Sequence, residues 1–155
     1  MTILEPKWKS WIVETTSPLF TPEQCQKIID AGRRQQPQKA QVGMGKPGGG
    51  LDTNKRTTTI SWIPFKEMEP MYTDLYKFIQ KANENHFGFG DIRVTENAQF
   101  TEYPVGGFYD WHMDCDTSMA HEPPVRKISM TLLLNDPSEF EGGDLEIMSP
   151  GKFAE

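Results

Sequence analysis

An α+β fold is predicted for this chain, with helices gathered outside an antiparallel β region of sandwich or jelly-roll type. Three observations predict it: two amphipathic helical segments come early, short β-branched and aromatic runs follow, and Gly or Pro pairs separate those runs. Helices first and strands afterwards is the order of an α+β chain rather than of alternating βα units.

A short apolar segment runs from Trp8 to Val13 and turns at Ser17-Pro18 into the first helix. Thr21 can cap that helix, Pro22 suits its first position, and Gln24 stands three residues after Thr21 as a capping box requires. Cys25, Ile28 and Ile29 supply an inward stripe, and the helix is expected to stop near Gly32. Residues 35–54 are rich in Gln, Gly and Pro, including Gly48-Gly49-Gly50, so they read as a mobile loop. Residues 57–63 are β-branched and aromatic, hence a strand, and Pro64 closes it. Met68, Met71, Tyr72, Leu75, Phe78, Ile79 and Ala82 then recur at helical spacing, which predicts a second helix with one face on the core. Strands are expected over 97–103, 108–113, 127–134 and 144–148. The turns between and beside them are marked by Gly106-Gly107, Pro123-Pro124, Asp136-Pro137 and Gly142-Gly143.

A length of 155 residues with 36% hydrophobic and 25% charged residues suits one domain, 1–155, with a helical support region over 1–90 and the β region over 91–155. A net charge of -6 and the lack of a basic run argue against nucleic acid as a partner. No continuous apolar stretch suggests an export signal or a membrane span. Cys25 and Cys115 form neither a disulfide framework nor a paired zinc motif, so a reducing, cytoplasmic setting is the expectation.

The chemistry concentrates in Tyr109-Asp110-Trp111-His112-Met113-Asp114. Residues two apart on a strand face the same way, which makes His112 and Asp114 candidate neighbouring ligands of one metal ion. One imidazole and one carboxylate are two thirds of the facial set that holds non-haem Fe(II) with positions left open. The competing reading is a histidine oriented by a carboxylate without a metal. His121 could supply a third ligand, although its place before two prolines suits an exposed loop. His86 fits the end of the second helix, Cys115 fits packing, and Lys55 with Arg56 read as solvated surface more readily than as contacts to an acidic substrate.

Four blocks in order carry a family resemblance: Gln99-Phe100-Thr101-Glu102-Tyr103, then Phe108 through Asp114, then Arg126-Lys127-Ile128-Ser129, and lastly Asn135-Asp136-Pro137 leading to Glu141-Gly142-Gly143-Asp144-Leu145. The chain resembles the 2-oxoglutarate and Fe(II)-dependent dioxygenases of the prolyl 4-hydroxylase type. That resemblance implies a partial double-stranded β-helix, the family's jelly roll, in which His112 and Asp114 are iron ligands and catalytic residues. It also implies that Tyr103 hydrogen-bonds the co-substrate 2-oxoglutarate, that ascorbate is a further cofactor, and that the substrate is a peptide or protein carrying proline.

The sequence departs from the family pattern as well. Leu133 stands where relatives carry a polar or tyrosine side chain, and the family's late histidine and 2-oxoglutarate-binding basic residue match nothing here. The last strands of the barrel are therefore expected to be absent, and half a jelly roll needs cover for its open edge. A truncated reading frame, a second chain or self-association would each explain the departure. A catalytically inactive β-rich binding module and a cupin-type metal enzyme are the alternative classes; the latter calls for more than one histidine in its first metal motif.

Overall fold

The structure, a computed structural model, describes residues 10–40, 50–114 and 125–148. Helix α1, Pro22–Arg34, opens with both halves of its capping box made: Gln24 N–H donates to Thr21 Oγ1 at 3.3 Å and Thr21 N–H donates to Gln24 Oε1 at 2.8 Å. The helix continues two residues past the predicted stop, because Gly32 serves a packing role. It is pressed so closely on the ring of Phe100 that a Cβ at this position would overlap Phe100.

Strand β1, Gln38–Lys39, pairs with β2, Thr59–Ile63, and β2 pairs with β3, Ala98–Glu102, giving an antiparallel sheet in the order β1-β2-β3. The stretch expected as a loop over 35–54 thus contributes an edge strand at its start, where Ala40 is buried and can anchor the backbone; residues 41–49 lie outside the description. In the central pair Ser61 faces Phe100 and Ile63 faces Ala98.

Helix α2, Glu69–Ala82, buries Met71 and Tyr72 from the predicted stripe, with Met68 and Leu75 packed beside the core. Tyr72 joins the sheet to the helix through its hydroxyl, which donates to the Ile63 carbonyl at 2.5 Å and accepts from the Ala98 N–H at 2.6 Å. A π-helical turn, Asn83–Phe87, extends α2 and contains His86. Phe20, Ile28, Ala31, Ile63, Met71, Tyr72 and Phe100 form the core, so both helices pack on one face of the sheet as the element order predicts.

Beyond β3 the structure departs from expectation. Residues 108–113 make a bridge at Tyr109 instead of a full strand, and 127–134 and 144–148 join no ladder among the described residues. The run from Lys127 to Leu134 still shows period-two burial, with Ile128, Met130, Leu132 and Leu134 half-buried and the residues between them exposed. Leu132 and Leu134 pack against the core. The side chains are patterned for a strand, but a ladder needs a neighbouring backbone, and none of the described residues supplies one. Among the described residues the architecture is two helices on a three-stranded antiparallel sheet, a mixed α+β arrangement.

Candidate metal centre

The path to His112 is set by the end of β3. After Glu102 the chain leaves the sheet and turns through Pro104 to Gly107, closed by a 2.7 Å bond from Gly107 N–H to the Pro104 carbonyl. It then rejoins the same neighbour. Thr57 N–H donates to the Phe108 carbonyl at 2.9 Å, Asp110 N–H donates to the Lys55 carbonyl at 2.8 Å, and Arg56 and Tyr109 face each other in an antiparallel bridge. The turn requires glycine at 107, where a Cβ would sit 2.8 Å from the Pro104 carbonyl oxygen and 3.0 Å from that of Thr57.

His112 and Asp114 are brought together at the end of this path. Their Nε2 and Oδ1 atoms are 3.2 Å apart, with the two side chains 36% and 51% exposed, so an ion could reach both. His112 Nδ1 lies 2.8 Å from the Asp110 carbonyl. A carbonyl oxygen only accepts, so Nδ1 carries the hydrogen and the neutral ring has a bare Nε2. A bare nitrogen facing a carboxylate oxygen is a meeting of two lone pairs, which calls for a proton or a metal ion between them. Ligands about 2.0–2.2 Å from one ion on adjacent octahedral corners lie roughly 3 Å apart, so the observed spacing fits two neighbouring coordination positions.

The surroundings steady both groups. Arg126 donates from Nη1 to the Asp114 carbonyl at 2.8 Å and pairs through Nη2 with Glu96 at 2.5 Å, tying the Asp114 backbone to the approach to β3. The Tyr109 ring stacks on the His112 imidazole with centroids 3.6 Å apart and planes 13° from parallel. Arg56, read from sequence as solvated surface, is 8% exposed, with its guanidinium carbon 4.2 Å from the Tyr109 ring centre. Its Nε donates to Thr58 Oγ1 at 2.8 Å. Residues 56 and 58 share a strand face, which is the one local signal that could have paired them; the partner ring at Tyr109 is distant in sequence.

Tyr103 stands just past β3 and is 54% exposed, with no hydrogen bond to His112 or Asp114 among the described residues. His121 and Cys115 lie outside the described residues. Among the described residues, no third His, Cys, Asp or Glu completes a metal-binding group.

Residues 98–154 match the model of the 2OG-Fe(II) oxygenase superfamily. The matched segment contains His112 and Asp114, and the match supports a general oxygenase function for the chain, with Fe(II) and 2-oxoglutarate as the implied cofactor and co-substrate. No curated protein and no solved structure matches the chain. No helix among the described residues is long and apolar enough to cross a membrane. The match begins at β3, so both helices and β2 precede it, and the segment leading to His112 and Asp114 pairs with residues 55–57 just ahead of β2.

Proposed function

We propose that the chain is a peptidyl-prolyl hydroxylase-like oxygenase built on the jelly-roll pattern, with His112 and Asp114 as two iron ligands. The observation that carries this reading is the convergence of His112 Nε2 and Asp114 Oδ1 at 3.2 Å inside the oxygenase-matching segment, with Nδ1 already engaged by the Asp110 carbonyl. Bound Fe(II) and 2-oxoglutarate supply dioxygen activation for hydroxylation of a C–H bond. His112 contributes a neutral nitrogen donor and Asp114 a negative oxygen donor. Arg126, by holding the Asp114 backbone carbonyl, fixes the main-chain position from which the carboxylate projects. Tyr103, 54% exposed beyond β3, takes the role of a hydrogen-bond donor to 2-oxoglutarate. Ascorbate serves as a reductant for the metal, and a proline-containing peptide or protein is the substrate, both on the strength of the resemblance.

Anaerobic addition of Fe(II) and then 2-oxoglutarate should produce the weak visible charge-transfer band of the chelated pair. Admission of air should then release succinate and add one oxygen to a proline peptide. His112→Ala is expected to remove both signals, and a band of unchanged strength in that variant would reject the site assignment.

A second reading rests on the unladdered run from Lys127 to Leu134, whose period-two burial fits a strand that another backbone completes. On this reading the chain is a β-rich module joined by a second chain or a second copy. Absence of both the band and succinate from the wild-type chain favours it over the oxygenase.

A further inference from the structure

We propose that Arg56 and Tyr109 are positioning residues for His112: a guanidinium, a phenol ring and an imidazole stacked in one column that aims Nε2 at the ion shared with Asp114. The proposal rests on the metal-site reading and asks what keeps the donor aimed. His112 follows the last backbone pairing of its segment and its side chain is 36% exposed, so neither a ladder nor burial fixes the ring. The hydrogen bond to the Asp110 carbonyl at 2.8 Å restrains Nδ1 but leaves the plane free to rock about that contact. The face of Tyr109, 3.6 Å away and 13° from parallel, removes that freedom.

Tyr109 is held in turn from behind. A ring face covered by an imidazole has no room for a guanidinium, so Arg56, 4.2 Å from the ring centre, occupies the opposite face. Arg56 is a cation at 8% exposure, which is costly unless its charge is met. The ring face meets it by cation–π attraction, and Thr58 Oγ1 accepts from its Nε at 2.8 Å. A guanidinium suits this place better than an ammonium, because its carbon sits over the ring while its Nε donates to Thr58. The Arg56 and Tyr109 backbones face each other across the antiparallel bridge, so the column is built on paired chain segments and ends on the donor.

The test uses the full chain, with Mn(II) as a redox-inert probe followed by electron paramagnetic resonance. The His112 ring protons are followed by NMR without metal, because a ring stacked over the imidazole shifts them upfield. Tyr109→Phe keeps the stacked face, so it should retain the upfield shift and hold Mn(II) within about twofold of wild type. Tyr109→Leu and Arg56→Met should each lose Mn(II) affinity by about tenfold, the scale on which groups that orient a metal ligand act. Tyr109→Leu should also lose the upfield shift. Their double variant should bind little worse than the weaker single one, since both break the same column. Far-UV circular dichroism confirms that each variant is folded. If folded Tyr109→Leu binds Mn(II) as tightly as wild type, or if Tyr109→Phe loses as much as Tyr109→Leu, the column does not position the donor. If the wild type shows the upfield shift but takes up no Mn(II), the metal-site reading falls and the proposal falls with it.

Discussion

At the scale of single residues, the two nitrogens of His112 do different work. One is held by a carbonyl of its own segment and the other faces a carboxylate, an arrangement that a shared proton or a shared metal ion would each satisfy. Tyr72 serves two elements at once. Its hydroxyl meets both β2 and β3, and desolvation raises its pKa above the ordinary tyrosine value, partly countered by the bond from the Ala98 N–H. Tyr72→Phe leaves a carbonyl and an N–H without that partner and should cost about 1–3 kcal/mol in urea melts at neutral pH. The pH dependence follows from the raised pKa. Below the ordinary tyrosine value of about 10 the hydroxyl is neutral in folded and unfolded chains alike, and its contribution is complete. As pH climbs beyond that value the unfolded chain ionises first, and the contribution is lost by the time the higher folded pKa is passed. Wild type should therefore lose stability more steeply in alkali than Tyr72→Phe; equal slopes would remove Tyr72 from the account.

At the scale of elements, legibility follows sequence distance. The capping box of α1 was readable because Thr21 and Gln24 meet within one turn, and the stripe of α2 because its period is local. His112 and Asp114 meet as neighbours two apart in sequence, although the strand expected to carry them is reduced to a bridge at Tyr109. Arg56 was misread as surface because its burial depends on Tyr109, which reaches it only through the turn after β3. The runs 127–134 and 144–148 carry strand composition, but a ladder is a relation between two backbones and composition reports only one. Gly32 is a further case. Taken as a helix stop, it is a contact, and Gly32→Ala sets two effects against each other. Alanine gains about 1 kcal/mol of helix propensity. Overlap with Phe100 costs about 1–3 kcal/mol in a packed core, so the steric effect should win and the variant should melt earlier. A stabilised Gly32→Ala would show that α1 and β3 have slack between them.

At the scale of the molecule, the core is concentrated where the helices meet the sheet, while the C-terminal extended segments leave large apolar side chains in solvent. Leu133 is 59% exposed, Leu145 68%, Ile147 54% and Met148 55%. Side chains of this kind on backbone that joins no ladder among the described residues invite edge-to-edge association. Light scattering at increasing protein concentration should show the wild-type chain growing in mass, and Leu145→Glu should reduce that growth while changing unfolding free energy by less than about 0.5 kcal/mol, as for an ordinary surface substitution. A chain that stays monomeric at all concentrations would remove association from the second reading.

The detour between Glu102 and Phe108 carries a consequence for tolerance to change. The route quits the sheet and returns through a turn, so the alignment of β2 with β3 and the seating of Tyr109 opposite Arg56 are separate registrations joined by a spacer. Lengthening or shortening that spacer alters neither registration directly, which lets the segment of Tyr109 to Asp114 diverge while β2 and β3 stay as they are.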